Sequence, residues 1–112
     1  MPSERALQAL RDIVENAKLA QSFVEDLDYL GFSSDRRAVY AVTRCLEIIS
    51  EASRRLDADI RARHPELPWR AIMGAGNIYR HDYDSVAEEF LWRTVHHSLA
   101  PLITAMETEL GA

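Results

Sequence analysis

At 112 residues with 47% apolar content, the chain is long enough for one core but too short for a wide cleft of its own, so a functional site is expected to be shared between subunits. Its net charge of −5 excludes nucleic-acid binding through a broad basic face, and any RNA contact must be local. One cysteine, Cys45, excludes an intramolecular disulfide and suits a reducing cytoplasm, while Met1-Pro2-Ser3-Glu4-Arg5 has no signal-peptide pattern and no apolar run reaches membrane-spanning length.

Ser3 before Glu4 reads as a helix N-cap, and Leu7, Leu10, Val14, Ala17, Ala20, Val24 and Leu27 then recur at steps of three and four, predicting an amphipathic helix that ends by Gly31. Ser33-Ser34-Asp35 caps a second helix. Its stripe is Ala38, Val42, Cys45, Ile49, Ala52, Leu56 and Ile60, and it runs to about Ala62. His64-Pro65-Glu66-Leu67-Pro68 breaks the pattern, because proline lacks the amide hydrogen and disfavours helix in the residue before it. Pro68 is expected to open a short helix through Trp69, Ile72 and Met73, stopped by Gly74 and Gly76. Ser85-Val86-Ala87-Glu88 has capping-box spacing and opens the last helix, with Val86, Phe90, Val95, Leu99, Leu102, Met106 and Leu110 as its apolar stripe. Pro101 falls inside that helix, where the carbonyl of His97 should lose its partner and a kink follows. No segment alternates long enough to make a strand. The expectation is therefore one all-α domain over residues 1–112, an up-and-down bundle of three long helices plus one short helix.

The densest chemistry lies in Gly76-Asn77-Ile78-Tyr79-Arg80-His81-Asp82-Tyr83. If the segment is helical, Asn77 and His81 sit four apart on one face with Arg80 beside them. An amide, a guanidinium and an imidazole titrating near neutrality are the parts needed to hold and cleave a phosphodiester without a metal. His81 is the candidate for proton transfer, and a two-fold dimer would supply one copy as base and one as acid. Competing readings are a structural, hydrogen-bonded His81, a pairing of Arg80 with Asp82 or Asp84, and a turn or cap role for Asn77. His96 and His97 are adjacent, so their side chains diverge by about 100° on a helix and cannot chelate one metal together. His64 reads as a loop residue and Cys45 as core, so no metal site is expected. With no phosphate-cradling glycine loop and no nucleophile elbow, neither a cofactor nor covalent catalysis is called for. Twelve arginines stand against Lys18 alone, and most are expected to pair with surface acids.

Ala41 to Ala52, then Pro65-Glu66-Leu67-Pro68-Trp69-Arg70, then Asn77 to Tyr83, then Trp92 ahead of Leu99-Ala100-Pro101-Leu102 together resemble the HepT-like family of the HEPN superfamily over the whole chain. The resemblance implies a helical homodimer and a metal-independent ribonuclease, the toxin of a toxin–antitoxin pair, with the motif residues of both subunits facing one cleft. It implies a partner as well, a small nucleotidyltransferase antitoxin of the MntA type that neutralises the toxin by transferring AMP to the tyrosine two residues after the motif histidine, here Tyr83. One departure stands out. The family places an arginine directly before its asparagine, and this chain has Gly76 there. Arg80 is the nearest substitute, although on a helix it points about 100° from His81, and Arg70 is a second donor. The expected catalytic set is therefore His81, Arg80 and Asn77, with Tyr83 regulatory. The alternative is a non-catalytic helical dimer that binds a nucleotidyltransferase or a nucleotide through the same cleft.

Overall fold

A computed structural model describes the backbone of residues 2–81 and 85–111 and the side chains of residues 2–75 and 87–111. The order is α1 (Glu4–Phe23), α2 (Tyr29–Ser33), α3 (Arg36–Arg55), α4 (Ala58–Ala62), α5 (Trp69–His81), α6 (Ser85–Arg93), a π-helical turn (Thr94–Ser98) and α7 (Leu99–Gly111). Among the described residues there is no strand, and the all-α bundle expected from the sequence is the fold.

Local chemistry sets the helix starts. Ser3 Oγ accepts the N–H of Ala6 at 3.1 Å, and the Asp35 carboxylate accepts those of Arg37 at 3.0 Å and Ala38 at 3.2 Å. Each cap satisfies amides that the first helical turn leaves without a partner. The stripe of α3 is buried along its whole predicted length, from Ala38 to Leu56, and Ile60 joins it from α4. Helix α1 presents Leu10 and Ile13 flanked by Ala6, Ala9, Ala17 and Ala20, all fully buried, and packs against both α3 and α7. Small side chains on that face let the backbones approach closely. Helix α5 then packs on the other side of α3.

Two helices stop earlier than their apolar periodicity suggests. Helix α1 ends at Phe23, and Asp28 opens a new short helix by accepting the N–H of Gly31 at 2.7 Å. A Cβ on Gly31 would stand 3.1 Å from Asp28 Oδ1, so this glycine serves the cap of α2. Helix α3 ends at Arg55 because Leu56 turns extended, with φ −68° and ψ 144°. The carbonyls thus released are taken by Arg61, whose Nη1 donates to Ser53 at 3.1 Å and to Leu56 at 2.6 Å. The break therefore leaves neither carbonyl without a donor, and both Leu56 and Ile60 remain in the core.

Near Pro101 the chain meets the expected defect with a π-helical turn, in which carbonyls bond five residues ahead. Side chains supply further donors there. Thr94 Oγ1 donates to the Phe90 carbonyl at 2.8 Å, and His96 Nδ1–H to that of Trp92 at 2.9 Å. Trp92 is held edge-on by Tyr29 at 5.9 Å and packs against Phe32 at 5.4 Å, which fixes α2 over this end of the bundle.

Candidate functional site

Helix α5 carries the candidate residues, and its start is firmly placed. Trp69 Nε1 donates to the His64 carbonyl at 3.0 Å, and the N–H of Ile72 reaches the Pro68 carbonyl at 2.9 Å. Pro68 thus opens the helix, as its ring geometry predicts. The helix does not stop at Gly74 or Gly76 but continues to His81. Interior glycine costs about 1 kcal/mol relative to alanine, less than tertiary anchoring can return. That anchoring comes from α3, where Ser50 Oγ donates to the Met73 carbonyl at 2.8 Å and Arg54 Nη1 donates to the same oxygen. Ala75 adds a buried contact one residue past Gly74.

Asn77, Arg80 and His81 therefore occupy the last part of one helix, with positions 77 and 81 one turn apart. Their side chains lie outside the described residues, and so does Tyr83. Arg70 is described, is exposed, and makes no hydrogen bond or ion pair to a described residue. Glu51 is exposed on α3, as a solvated helix acid should be.

A cavity of about 280 Å³ lies on the other side of α5. Ile72 and Ala75 line it from α5, Leu46 and Ile49 from α3, and His97 and Leu102 from the chain around Pro101. At about 100° per residue, Ile72 and Ala75 project roughly 120–180° away from positions 77 and 81. The cavity and the candidate catalytic face of one subunit are therefore separate.

The remaining titratable groups have identifiable duties. His64, expected in a loop, places Nε2 2.8 Å from Glu109 Oε2, and Arg63 grips the same carboxylate at 2.6 and 3.1 Å. Glu109 is 7% exposed, and the hydrogen bond from Arg63, followed by that of His64, lowers its pKa to about 2 against the opposing effect of burial. This cluster ties the end of α7 to the segment after α4. Burial pushes the Cys45 thiol up, which removes its thiolate and leaves a small apolar side chain in the core. Tyr29 is shifted up by desolvation and then by Glu89 and Glu88. Among the described residues, no group of three or more His, Cys, Asp and Glu side chains is spaced to hold a metal ion. None of their helices is long and apolar enough to cross a membrane.

Most arginines are expected to pair with surface acids, but among the described residues Arg55 does so, 3.0 Å from Asp12, while Arg63 pairs with the buried Glu109. Arg54 and Arg61 bind backbone carbonyls instead. The Ser50 and Arg54 anchors escaped the sequence reading, although their spacing of four on α3 was a usable signal.

A family model described as Ribonuclease HepT-like matches residues 13–109. Among curated proteins, the chain is 37% identical over 106 residues to "Putative RNase MJ1380" of Methanocaldococcus jannaschii, covering 94% of this chain and 97% of that one. It is 36% identical over 93 residues to "Probable ribonuclease HepT" of Thermococcus cleftensis, covering 83% and 84%. It is also 31% identical over 99 residues to "Putative RNase MJ0125" of M. jannaschii, covering 88% and 85%. No solved structure matches.

Proposed function

The chain belongs to the HepT-like ribonuclease family, and from that premise we propose that it is a metal-independent endoribonuclease, the toxin of a type VII toxin–antitoxin pair, working in the cytoplasm as a homodimer of single-domain subunits. The observation that carries this reading is the continuity of α5 through both glycines, which puts positions 77 and 81 on one face at the end of an anchored helix.

In the reaction, a ribose 2′-hydroxyl attacks the adjacent phosphorus. His81 of one subunit takes the hydroxyl proton, and His81 of the second returns a proton to the departing 5′-oxygen, leaving a 2′,3′-cyclic phosphate and a free 5′-hydroxyl. Asn77 orients the phosphate by hydrogen bonding, and Arg80 neutralises charge that grows on its oxygens. DNA lacks the attacking hydroxyl and stays intact. The regulatory partner is a nucleotidyltransferase antitoxin of the MntA type that transfers AMP to Tyr83. A bulky anion there repels substrate phosphate.

Gly76 favours a second reading, because it stands where the family carries an arginine. Removing one such donor costs on the order of 10²–10³ in rate, which leads to a slow nuclease or to a non-catalytic dimer that binds the nucleotidyltransferase. Incubating purified protein with RNA separates the two readings. The ribonuclease reading expects cyclic-phosphate ends that vanish in His81→Ala and diminish in Arg80→Ala. Cleavage indifferent to both substitutions would assign it to a contaminant. Mass spectrometry after co-expression with the nucleotidyltransferase should find AMP on Tyr83, and modification elsewhere would remove that assignment.

A further inference from the structure

We infer that Arg70 and Gly74 form a second contact for RNA on α5, a phosphate-binding track leading to positions 77 and 81. The inference rests on the ribonuclease reading for its substrate, and on two independent features of the described residues for its place.

The first feature is register. Arg70 precedes position 77 by seven residues and position 81 by eleven, so both fall within about 20° of it around the helix. At about 1.5 Å per residue, Arg70 stands roughly 16 Å from position 81 along the axis. That span accommodates a short single-stranded RNA segment. The Arg70 guanidinium is exposed and no described residue occupies its five donors, a planar fork suited to a phosphate.

The second feature is Gly74, between Arg70 and Asn77 on the same face. Among the described residues nothing lies within 4 Å of a Cβ built there, and its φ is not positive, so neither their packing nor the backbone conformation requires glycine. A mid-helix glycine that weakens its own helix, on an exposed face, is explained by close approach from outside. Directly beside it, Arg54 is fixed against the Met73 carbonyl, which brings a second cation to the edge of the track. A chain of net charge −5 needs such local clustering to hold a polyanion.

The test uses full-length protein and a fluorescent, 2′-O-methylated RNA octamer, which binds but cannot be cleaved. Anisotropy is measured over a salt series for wild type, Arg70→Ala, Arg70→Lys, Gly74→Leu and Arg5→Ala. Arg70→Ala should weaken binding roughly tenfold and flatten the salt slope by about 0.7, with Arg70→Lys between it and wild type. Gly74→Leu should weaken binding similarly while circular dichroism shows the helices intact, and Arg5→Ala, which removes a charge far from α5 in sequence, should bind like wild type. Equal affinity and slope in wild type and Arg70→Ala would overturn the inference, as would absence of octamer binding by wild type. A Gly74→Leu protein that changes its sedimentation but binds RNA unchanged would assign the glycine to a subunit contact and also overturn it. Cleavage of unmodified octamer is read separately. Arg70-dependent binding without any cleavage refutes the ribonuclease reading and leaves the track standing.

Discussion

The hydroxyl of Ser50 donates to the main-chain carbonyl of Met73 at 2.8 Å, joining α3 to α5 four residues before Asn77. Ser50 is 1% exposed, and removing its hydroxyl leaves Arg54 as the only described side chain on that oxygen. Ser50→Ala should destabilise the protein by about 1 kcal/mol in urea titrations. Amide exchange should accelerate selectively along α5, and exchange unchanged there would mean that the helix is held by its apolar contacts alone.

Arg61 is the side chain that permits α3 to end at Arg55. Arg61→Ala removes the side-chain donor to the carbonyls of Ser53 and Leu56, leaving Ser53 only the Leu56 N–H at 3.3 Å among the described donors, and should cost about 1–3 kcal/mol. Arg61→Lys should recover part of that loss, since an ammonium offers a donor without the planar fork. Thermal unfolding of both variants measures the difference.

The pairing of Glu109 with Arg63 and His64 makes stability depend on acid. The carboxyl has a folded pKa of about 2 against an ordinary value of 4.5, so the folded state binds its proton less readily than the unfolded chain. Its stabilising contribution is complete above about pH 4.5 and is lost as pH falls toward about 2. Denaturant midpoints measured through that window should fall with pH in the wild type, and more gently in Glu109→Gln. Parallel curves would remove Glu109 from the acid response.

Gly74 separates stability from function. No described residue lies in its side-chain direction, so Gly74→Ala should raise stability by up to about 1 kcal/mol through helix propensity and a stiffer unfolded chain. A fall in melting temperature would show that the glycine meets a structural demand within the subunit.

Much of this architecture was legible because its causes are local. Ser3 and Asp35 cap helices from neighbouring positions, and the α3 stripe stays buried throughout because spacing by three and four is a property of the helix itself. What was not legible depends mostly on residues distant in sequence. The stop expected at Gly74 is overridden by Ser50 and Arg54, which reach the Met73 carbonyl from 23 and 19 positions earlier, while the α3–α4 break, though local, is hidden by unbroken apolar periodicity until Arg61 folds back. Glu109 falls three residues after Met106 and seven after Leu102, a spacing compatible with the buried face, yet the expected stripe ran to Leu110 and left this acid out. Its partners could not be read, because Arg63 and His64 reach it across the fold. For the candidate site, the sequence supplied residue types and spacing, and the described backbone supplies the helix that makes the spacing a shared face.

The most direct measurement is cleavage of an RNA oligonucleotide by the unmodified protein, beside His81→Ala and beside a DNA of the same sequence. The proposal predicts 2′,3′-cyclic phosphate ends with wild type, none with His81→Ala, and intact DNA. RNA that survives wild-type protein free of AMP on Tyr83, or that is cut equally by His81→Ala, would contradict it.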